Sequence, residues 1–326
     1  MKRTNSFLFV FLFLTFFVSA QSFDIDQIEQ VFRPRIKWDN RFIFPSSFAD
    51  TTGKFSDFSS SALFTFPIKT KFDTGFELDL RERKLKDILK NSIKIHASQT
   101  MGSLRVSYRQ TNLGFDSVPV KNFYSISGGF SGIKLDRKFR IVFYNLAVNI
   151  SEENKTLSSS IPRFSGVLGR LHLNGIQKNY FYGLAFVYSD GLPLPVPFFG
   201  GTFPLPGNFL LNLTFPTSVN LQYKSKGTSL FVGASADGFR TGWKYQGNRI
   251  NLNQTGGQAF VAWRQKIHRT ITARIEAGYF FFNALRVNEG NFSPEILSIQ
   301  SGPYVNAGIS ILFGKNLIEK ILDQLK

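Results

Sequence analysis

Short segments in which apolar and polar side chains alternate recur along most of the chain, and no other feature restricts the fold as strongly. The clearest runs from Ile271 to Phe281, where Ile, Ala and aromatic residues alternate with Thr, Arg, Glu and Gly. Successive side chains of a β-strand point to opposite faces, so this period of two predicts strands with one apolar and one polar face. Segments with the same alternation lie near residues 93–98, 104–109, 142–148, 180–188, 219–224 and 305–313. The chain is therefore predicted to be all-β.

The connections between these segments alternate between short turns and long loops. Short turns are expected near residues 102, 136, 176, 226 and 268, and long loops over residues 112–121, 151–162, 190–215 and 283–301. Bacterial outer-membrane barrels have this arrangement, with short periplasmic turns, long external loops and an even number of strands. We predict a single antiparallel transmembrane β-barrel of about 12 strands, with 10–14 allowed.

The N-terminal residues have the features of a secretory signal peptide. Lys2 and Arg3 precede an apolar stretch over residues 7–18, and residues 18–20 (Val-Ser-Ala) form a small-residue cleavage site. The rest of the chain has no apolar run long enough for a transmembrane helix, and the whole chain has no cysteine but 38 Phe and 10 Tyr. We expect export through a cleavable signal peptide to the outer membrane of a Gram-negative bacterium.

The remaining chain divides by composition into three parts. Residues 21–59 are expected to form a periplasmic N-terminal segment or an early strand, and residues 60–313 to form the barrel. Residues 81–91 have helix-forming composition and are expected to form a short helix or a loop. Residues 314–326 are expected to form an amphipathic tail, because apolar residues recur there at helical spacing and predict a short C-terminal helix.

A segment rich in proline and glycine, residues 188–216, interrupts the strand pattern. Proline cannot donate to a sheet ladder, and the apolar residues between the prolines require burial. We therefore expect this segment to fold over or into the barrel mouth as a lid or plug. The candidate lid residues are Pro193, Pro195, Pro197, Phe198, Phe199, Pro204 and Pro206.

The charge of the chain is strongly positive, with 39 Lys and Arg against 22 Asp and Glu. Such an excess suits an anionic partner; export makes nucleic acid an unsuitable one, which leaves membrane lipids and lipopolysaccharide, besides the barrel-assembly machinery. If the apolar face of each strand meets lipid, many cations point into the lumen. The polar candidates for the lumen are Lys94, His96, Arg105, Arg109, Arg170, His172, Lys224, Arg274 and Glu276. They form either an electropositive, anion-favouring pore or an interior cross-linked by ion pairs and closed to solutes.

Residues 191–238 resemble a family of outer-membrane β-barrel proteins from Bacteroidetes-type bacteria that is known as a domain of unknown function. The resemblance lies in a Pro/Gly-rich segment that ends in a leucine-rich strand and a proline, Leu210 to Pro216, followed by a hairpin from Val219 to Ser235. It implies the barrel fold and the outer-membrane location, and it brings no catalytic residues.

The sequence favours a role without enzymatic activity, as a narrow channel or transporter or as a structural barrel. It predicts no catalytic residue, cofactor or metal site, because the three histidines are far apart and no GxSxG, P-loop, GxGxxG or HExxH motif occurs. Two alternatives stay open at this point. One is an exported soluble β-sandwich that acts as an adhesin or binding module, and the other is a lipid-modifying barrel enzyme.

Overall fold

The computed structural model describes residues 33–49, 52–76, 93–114, 120–135, 141–153, 161–173, 178–188, 194–245, 248–289 and 295–314. The described residues contain fifteen strands. They are β1 (Arg35–Ser47), β2 (Lys54–Phe76), β3 (Ile93–Asn112), β4 (Lys121–Leu135), β5 (Ile141–Glu152), β6 (Arg163–Leu173), β7 (Asn179–Tyr188), β8 (Leu194–Leu205), β9 (Phe209–Phe215), β10 (Ser218–Ser225), β11 (Thr228–Tyr245), β12 (Asn248–Lys266), β13 (Ile271–Glu289), β14 (Glu295–Ile299) and β15 (Gly302–Leu312). No helix long and apolar enough to cross a membrane occurs in this part of the chain.

Fourteen of these strands pair into one closed antiparallel ring. Each of β1 to β12 pairs with the next, β13 then pairs with β15, and β15 pairs with β1, which closes the barrel. The remaining strand, β14, extends the wall beyond β15 by pairing with β13 from Asn283 to Val287. The prediction of a closed antiparallel barrel is confirmed; the favoured count of 12 strands was wrong.

The outer surface of the barrel is apolar, because the register places the exposed large side chains of neighbouring strands on one face. Ile36, for example, pairs with Phe64 on β2 and with Ile311 on β15, and all three are exposed. Tyr180, Tyr182, Tyr223 and Tyr279 also point outward, as membrane-interface tyrosines do. Water does not favour such a continuous apolar wall, whereas a bilayer does, so the chain is a transmembrane barrel rather than a soluble sandwich.

The barrel begins earlier in the chain than its predicted start at residue 60. The first strand, β1, starts at Arg35, and β2 continues from Lys54. The expected short turn near residue 102 does not exist, since β3 runs through it. Gly102 lies under the ring of Phe66 on β2, where an added Cβ would come 2.5 Å from the ring carbon Cζ. This glycine makes room for an aromatic side chain within a strand and does not mark a turn.

Within residues 188–216, Pro195, Pro197 and Pro204 lie in a strand of the barrel wall instead of forming a lid or plug. This segment contains β8 and β9, joined by a turn at residues 206–208. Pro195 and Pro197 are two residues apart, so both missing N–H groups face the same side of β8, and Val196 keeps its N–H on the opposite side. Phe198 points inward and is buried, whereas Phe199 is 52% exposed on the outer face.

Two prolines near the β8–β9 turn also have no lid position. Pro204 is an exposed residue near the end of β8, and Pro206 begins the exposed turn that follows it. Pro193 lies outside the described residues, as do the predicted signal peptide of residues 1–20 and the predicted C-terminal helix within the tail after Gly314. The same holds for residues 81–91, which were predicted to form a short helix or a loop.

Candidate functional site in the barrel lumen

The two ends of the barrel differ in how they are closed. At what we call the terminal end, the first and last described residues meet, where the Phe313 N–H donates to the Pro34 carbonyl over 3.0 Å. At the far end, β11 and β12 continue past β10 as a long hairpin, with β13 alongside β12, whereas β9 and β10 stop at a tight turn at Pro216 and Thr217. We call residues 238–255 the mouth hairpin.

The mouth hairpin reaches the opposite wall of the barrel. In the ring of fourteen strands, β5 lies six strands from β11, which is nearly opposite. Yet the Glu153 N–H donates to the Gly242 carbonyl over 3.2 Å, and Arg249 Nη2 lies 2.6 Å from Glu152 Oε1. The Ser151 hydroxyl also donates to the Thr241 hydroxyl over 3.1 Å. The hairpin therefore crosses the mouth and is fastened on the other side.

An apolar core fills the space beneath the mouth hairpin. The hairpin contributes Trp243 and Leu252, and the Trp243 ring lies 6.1 Å from the ring of Phe123 on β4. Residues from the first strands, the long β13–β14 extension and β15 complete the cluster: Ile43, Phe48, Phe55, Leu113, Leu285, Leu297, Ile299 and Tyr304. Such dense apolar packing excludes water, so the hairpin and this core form a seal over the part of the far end that they cover.

A layer of paired charges lies below that core. Arg41 contacts Asp237 and donates to Gln258 Oε1 over 2.6 Å, with its guanidinium over the rings of Phe280 and Tyr304. On the adjoining wall, Arg109 pairs with the buried Asp57 at 2.9 Å, and Thr111 donates to the same carboxylate. Because each of these carboxylates has a cation beside it, this layer corresponds to the cross-linked interior that the sequence offered as one alternative.

The Arg109 side chain also connects the wall to the mouth hairpin. Its guanidinium carbon lies 3.6 Å from the centre of the Phe239 ring, near the base of the hairpin on β11. Tyr304 has a similar linking role: its hydroxyl donates to Glu276 over 2.8 Å, and Arg274 donates to the same carboxylate over 2.5 Å. The base of the seal is thus held by cation–π contacts and charge-assisted hydrogen bonds.

The lumen between this layer and the terminal end is electropositive. The inward-facing cations described there are Arg35, Lys37, Arg105, Arg264 and Arg274. The carboxylates described near them are Asp39, which lies 2.8 Å from Lys37, and Glu276. The side chains of Lys37, Asp39 and Arg274 keep 25–33% of their exposure, so this part of the lumen is open to solvent. A partly hydrated, cationic compartment attracts anions.

An apolar patch lines the lumen on the side facing these cations. It is built by Phe143 on β5, Leu171 on β6, Phe181 on β7 and Phe198 on β8. The Phe198 ring lies 6.0 Å from the ring of Phe181 and 6.3 Å from that of Phe143. The assumption that the apolar face of every strand meets lipid therefore fails on this side of the barrel.

That failure explains two predicted lumen residues that the structure places on the outer face. In β6, Gly169 and Leu171 pair with the inward-facing Phe143 and Ile141, so Arg170 and His172 point outward. The His172 ring stacks on the rings of Tyr180 at 4.6 Å and Tyr182 at 5.7 Å. The two residues belong to the outer aromatic surface near the terminal end.

The other predicted lumen residues lie as follows. Arg105, Arg109, Arg274 and Glu276 face the interior, and Lys224 lies on the inward side of β10 but is exposed at its end. Lys94 and His96 are in β3, but their side chains lie outside the described part of the structure.

Sequence reasoning missed the residues at the centre of the seal. These are Arg41, Asp57, Asp237, Phe239, Trp243 and Arg249. Residues 239–254 form the end of the long β11–β12 hairpin, and nothing in the sequence pattern showed that it crosses the mouth. The one available signal was the unusual length of the alternating segment around it, which exceeds a bilayer crossing.

The comparisons with known proteins give information on the barrel fold and none on the residues of the lumen. No protein-family model matches the chain, and no curated protein matches it. The resemblance to the Bacteroidetes-type family therefore stays a prediction.

Several solved barrel structures are similar in outline. An outer membrane channel from Pseudomonas putida F1 has a TM-score of 0.41 at 6% identity, and the match covers 86% of this chain and 96% of that one. The toluene transporter TodX from P. putida has a TM-score of 0.29 at 9% identity, over 86% and 90% of the two chains. The transport unit of the autotransporter AIDA-I from Escherichia coli has 0.33 at 10%, over 93% and 96%. At such low similarity, the assignment of the fold rests on the strand pairings described above.

Proposed function

We propose that the protein is an integral barrel of a Gram-negative outer membrane and that it acts as a normally closed channel for small anions. The observation that carries the proposal is the position of the mouth hairpin. It spans the far end of the barrel, is fastened to the opposite wall by Arg249 and Glu152, and covers a hydrated cationic lumen. A seal of this kind over a solvated compartment suits a gate better than a solid structural wall.

The preference for anions follows from the charges of the lumen. Cations outnumber carboxylates among the described residues between the ionic layer and the terminal end, and low-dielectric walls strengthen their field. An outward-facing cation such as Arg170 points away from this compartment. Its charge is screened from the lumen by the wall and by salt, because the Debye length is about 8 Å at physiological ionic strength.

Selectivity measurements test this part of the proposal. We use a shortened-hairpin variant in which Asn-Gly replaces residues 239–254 and joins Gly238 to Thr255, which are already register partners. In that background, Lys37→Gln with Arg105→Gln is expected to move the reversal potential in a salt gradient away from the anion limit. Arg170→Gln, which removes one outer cation, is expected to leave it unchanged. Equal reversal potentials in the two variants, or cation preference in the parent, would exclude an anion-selective lumen.

Orientation gives a second expected result, because periplasmic termini place the mouth hairpin outside the cell. The chain has no cysteine, so a single introduced thiol reports its own side of the membrane. On intact cells, a membrane-impermeant maleimide is expected to label Ser158→Cys, between β5 and β6, and not Lys226→Cys, in the turn between β10 and β11. Both variants should react once the membrane is permeabilised. The reverse pattern on intact cells would place the gate in the periplasm.

A further inference from the structure

Two cations lie close together on the lipid-facing surface near the terminal end. Lys134 on β4 pairs with Val142 on β5, and Val142 pairs with Arg170 on β6, so the three side chains leave the wall on the same side. Lys134 and Arg170 are exposed, and Val142 is half-buried between them. The Cα atoms of the two cations are two strand spacings apart, about 10 Å. Because valine is short, the two longer side chains can converge over it.

No carboxylate of the surrounding wall neutralises this cation pair. The described strands β4, β6, β7 and β8 contain no Asp or Glu, and the carboxylate of β5, Glu152, lies at the far end. Neither Lys134 nor Arg170 has a side-chain ion pair or hydrogen bond within the described part of the chain. A charge on the lipid-facing wall costs free energy unless an anion accompanies it. The nearest source of an anion outside this wall is a lipid headgroup.

An aromatic platform lies beside the two cations. Tyr182 on β7 is the register partner of Arg170, and Tyr180 is the partner of His172. The His172 ring stacks on both tyrosine rings, at centroid distances of 5.7 Å from Tyr182 and 4.6 Å from Tyr180. Exposed tyrosines on a barrel wall prefer the headgroup level, where the ring meets acyl chains and the hydroxyl meets water. The cation pair is therefore at the depth of the lipid phosphates.

The wall above the cations, toward the membrane centre, is apolar. Leu168 is two residues from Arg170 on the outer face of β6, and its register partner is Leu184 on β7. Leu168 is 57% exposed and Leu184 is 51% exposed, so both can contact an acyl chain. The charges are a feature of this side of the barrel. Within four residues of the terminal-end turns of β10, β11 and β12, the outward row is uncharged and consists of Tyr223, Leu230 and Trp263.

We propose that Lys134 and Arg170, with the aromatic platform beside them, bind an anionic glycerophospholipid of the leaflet around the terminal end. A guanidinium binds phosphate through paired charge-assisted hydrogen bonds, and the ammonium group adds a second positive charge. Two cations favour a headgroup with a net negative charge over a zwitterionic one, whose own ammonium group would be repelled. This inference goes beyond the channel activity proposed above and rests on the outer-membrane placement.

Native mass spectrometry of the full chain in detergent tests the site. The probes are phosphatidylglycerol and phosphatidylethanolamine with identical acyl chains, titrated separately. We expect the wild type to prefer phosphatidylglycerol. Lys134→Gln with Arg170→Gln is expected to weaken phosphatidylglycerol binding at least about tenfold, since each basic residue at a charged membrane surface contributes about fivefold. The matched control is Lys226→Gln with Arg269→Gln, which removes the same charge from exposed turns at the same end.

A third variant separates geometry from charge. Arg170→Lys keeps the charge but loses the paired hydrogen bonds, so we expect it to keep the preference for phosphatidylglycerol at a lower affinity. Heat-modifiable gel mobility shows that each variant is folded, and the two single Gln variants replace the double one if it fails this check. Equal phosphatidylglycerol binding by the double variant and the turn control would overturn the site, as would a wild type without a preference. Since binding is measured without any current, a barrel that does not conduct leaves this result unaffected.

Discussion

Replacing residues 239–254 with Asn-Gly is expected to turn a barrel with no resolved current steps into one that conducts in discrete steps. The deletion removes Trp243, Arg249 and Leu252, which form the cover and its fastening to the opposite wall. It keeps Asp237, so the ion pair with Arg41 remains in the wall below. Without the cover, the hydrated lumen opens to the far end. The measurement is single-channel recording in a planar bilayer, with wild-type protein of the same gel mobility as the reference.

A reversible lock provides the control for this experiment. The Ser151 and Thr241 hydroxyl oxygens are 3.1 Å apart across the mouth, close enough for a disulfide if both residues become cysteine. In the otherwise cysteine-free chain, this bond forms between the hairpin and β5 alone. Any rare openings of the wild type should vanish in the oxidised double variant and return after reduction. If the shortened-hairpin variant folds correctly but shows no current steps, the seal extends below the hairpin and the barrel is structural.

The closed barrel could be predicted from the sequence because lipid enforces a simple pattern. Where a strand has one face of large apolar residues and one of polar or small residues, as from Ile271 to Phe281, the outward face was identified correctly. The turns near residues 226 and 268 were also placed correctly, whereas those expected near 136 and 176 lie outside the described residues. Local alternation carries this information because each strand crosses the same membrane.

The contents of the lumen could not be predicted in the same way. Strand β6 has apolar residues on both faces, with Leu168 outside and Leu171 inside, so alternation alone cannot orient it. Its orientation is decided by the patch of Phe143, Phe181 and Phe198, which comes from three other strands. The prediction that residues 188–216 form a lid or plug failed for a related reason. Prolines spaced two apart are compatible with a wall strand, because they remove donors on one side of it only.

The seal itself depends on contacts between residues far apart in the chain. Arg41 and Asp237 are 196 positions apart, and Arg249 and Glu152 are 97 apart. A single sequence does not show that these charges meet. The structure adds that the ionic layer lies directly beneath the hairpin, so that the same residues stabilise the wall and support the cover. Stability and gating are therefore expected to be coupled at Arg41.

Arg41→Met is expected to lower the free energy of unfolding by about 3 kcal/mol, as breaking a buried ion pair usually does. The substitution leaves Asp237 without its cation and Gln258 without its donor, and it removes the guanidinium from the rings of Phe280 and Tyr304. The value is at the lower end of the usual range because the Asp237 side chain keeps 27% of its exposure. Urea titrations in lipid vesicles, followed by gel mobility, measure the change.

Two variants show whether the lost charge pairing is the cause. Lys37→Met breaks the more exposed pair with Asp39 and is expected to cost at most about 1 kcal/mol. Arg41→Met combined with Asp237→Leu removes both charges and is expected to recover most of the lost stability, since no unpaired carboxylate remains. If the double variant is as unstable as Arg41→Met, packing of the guanidinium against the aromatic rings is the main contribution. If Arg41→Met is no less stable than Lys37→Met, the ionic layer does not support the seal.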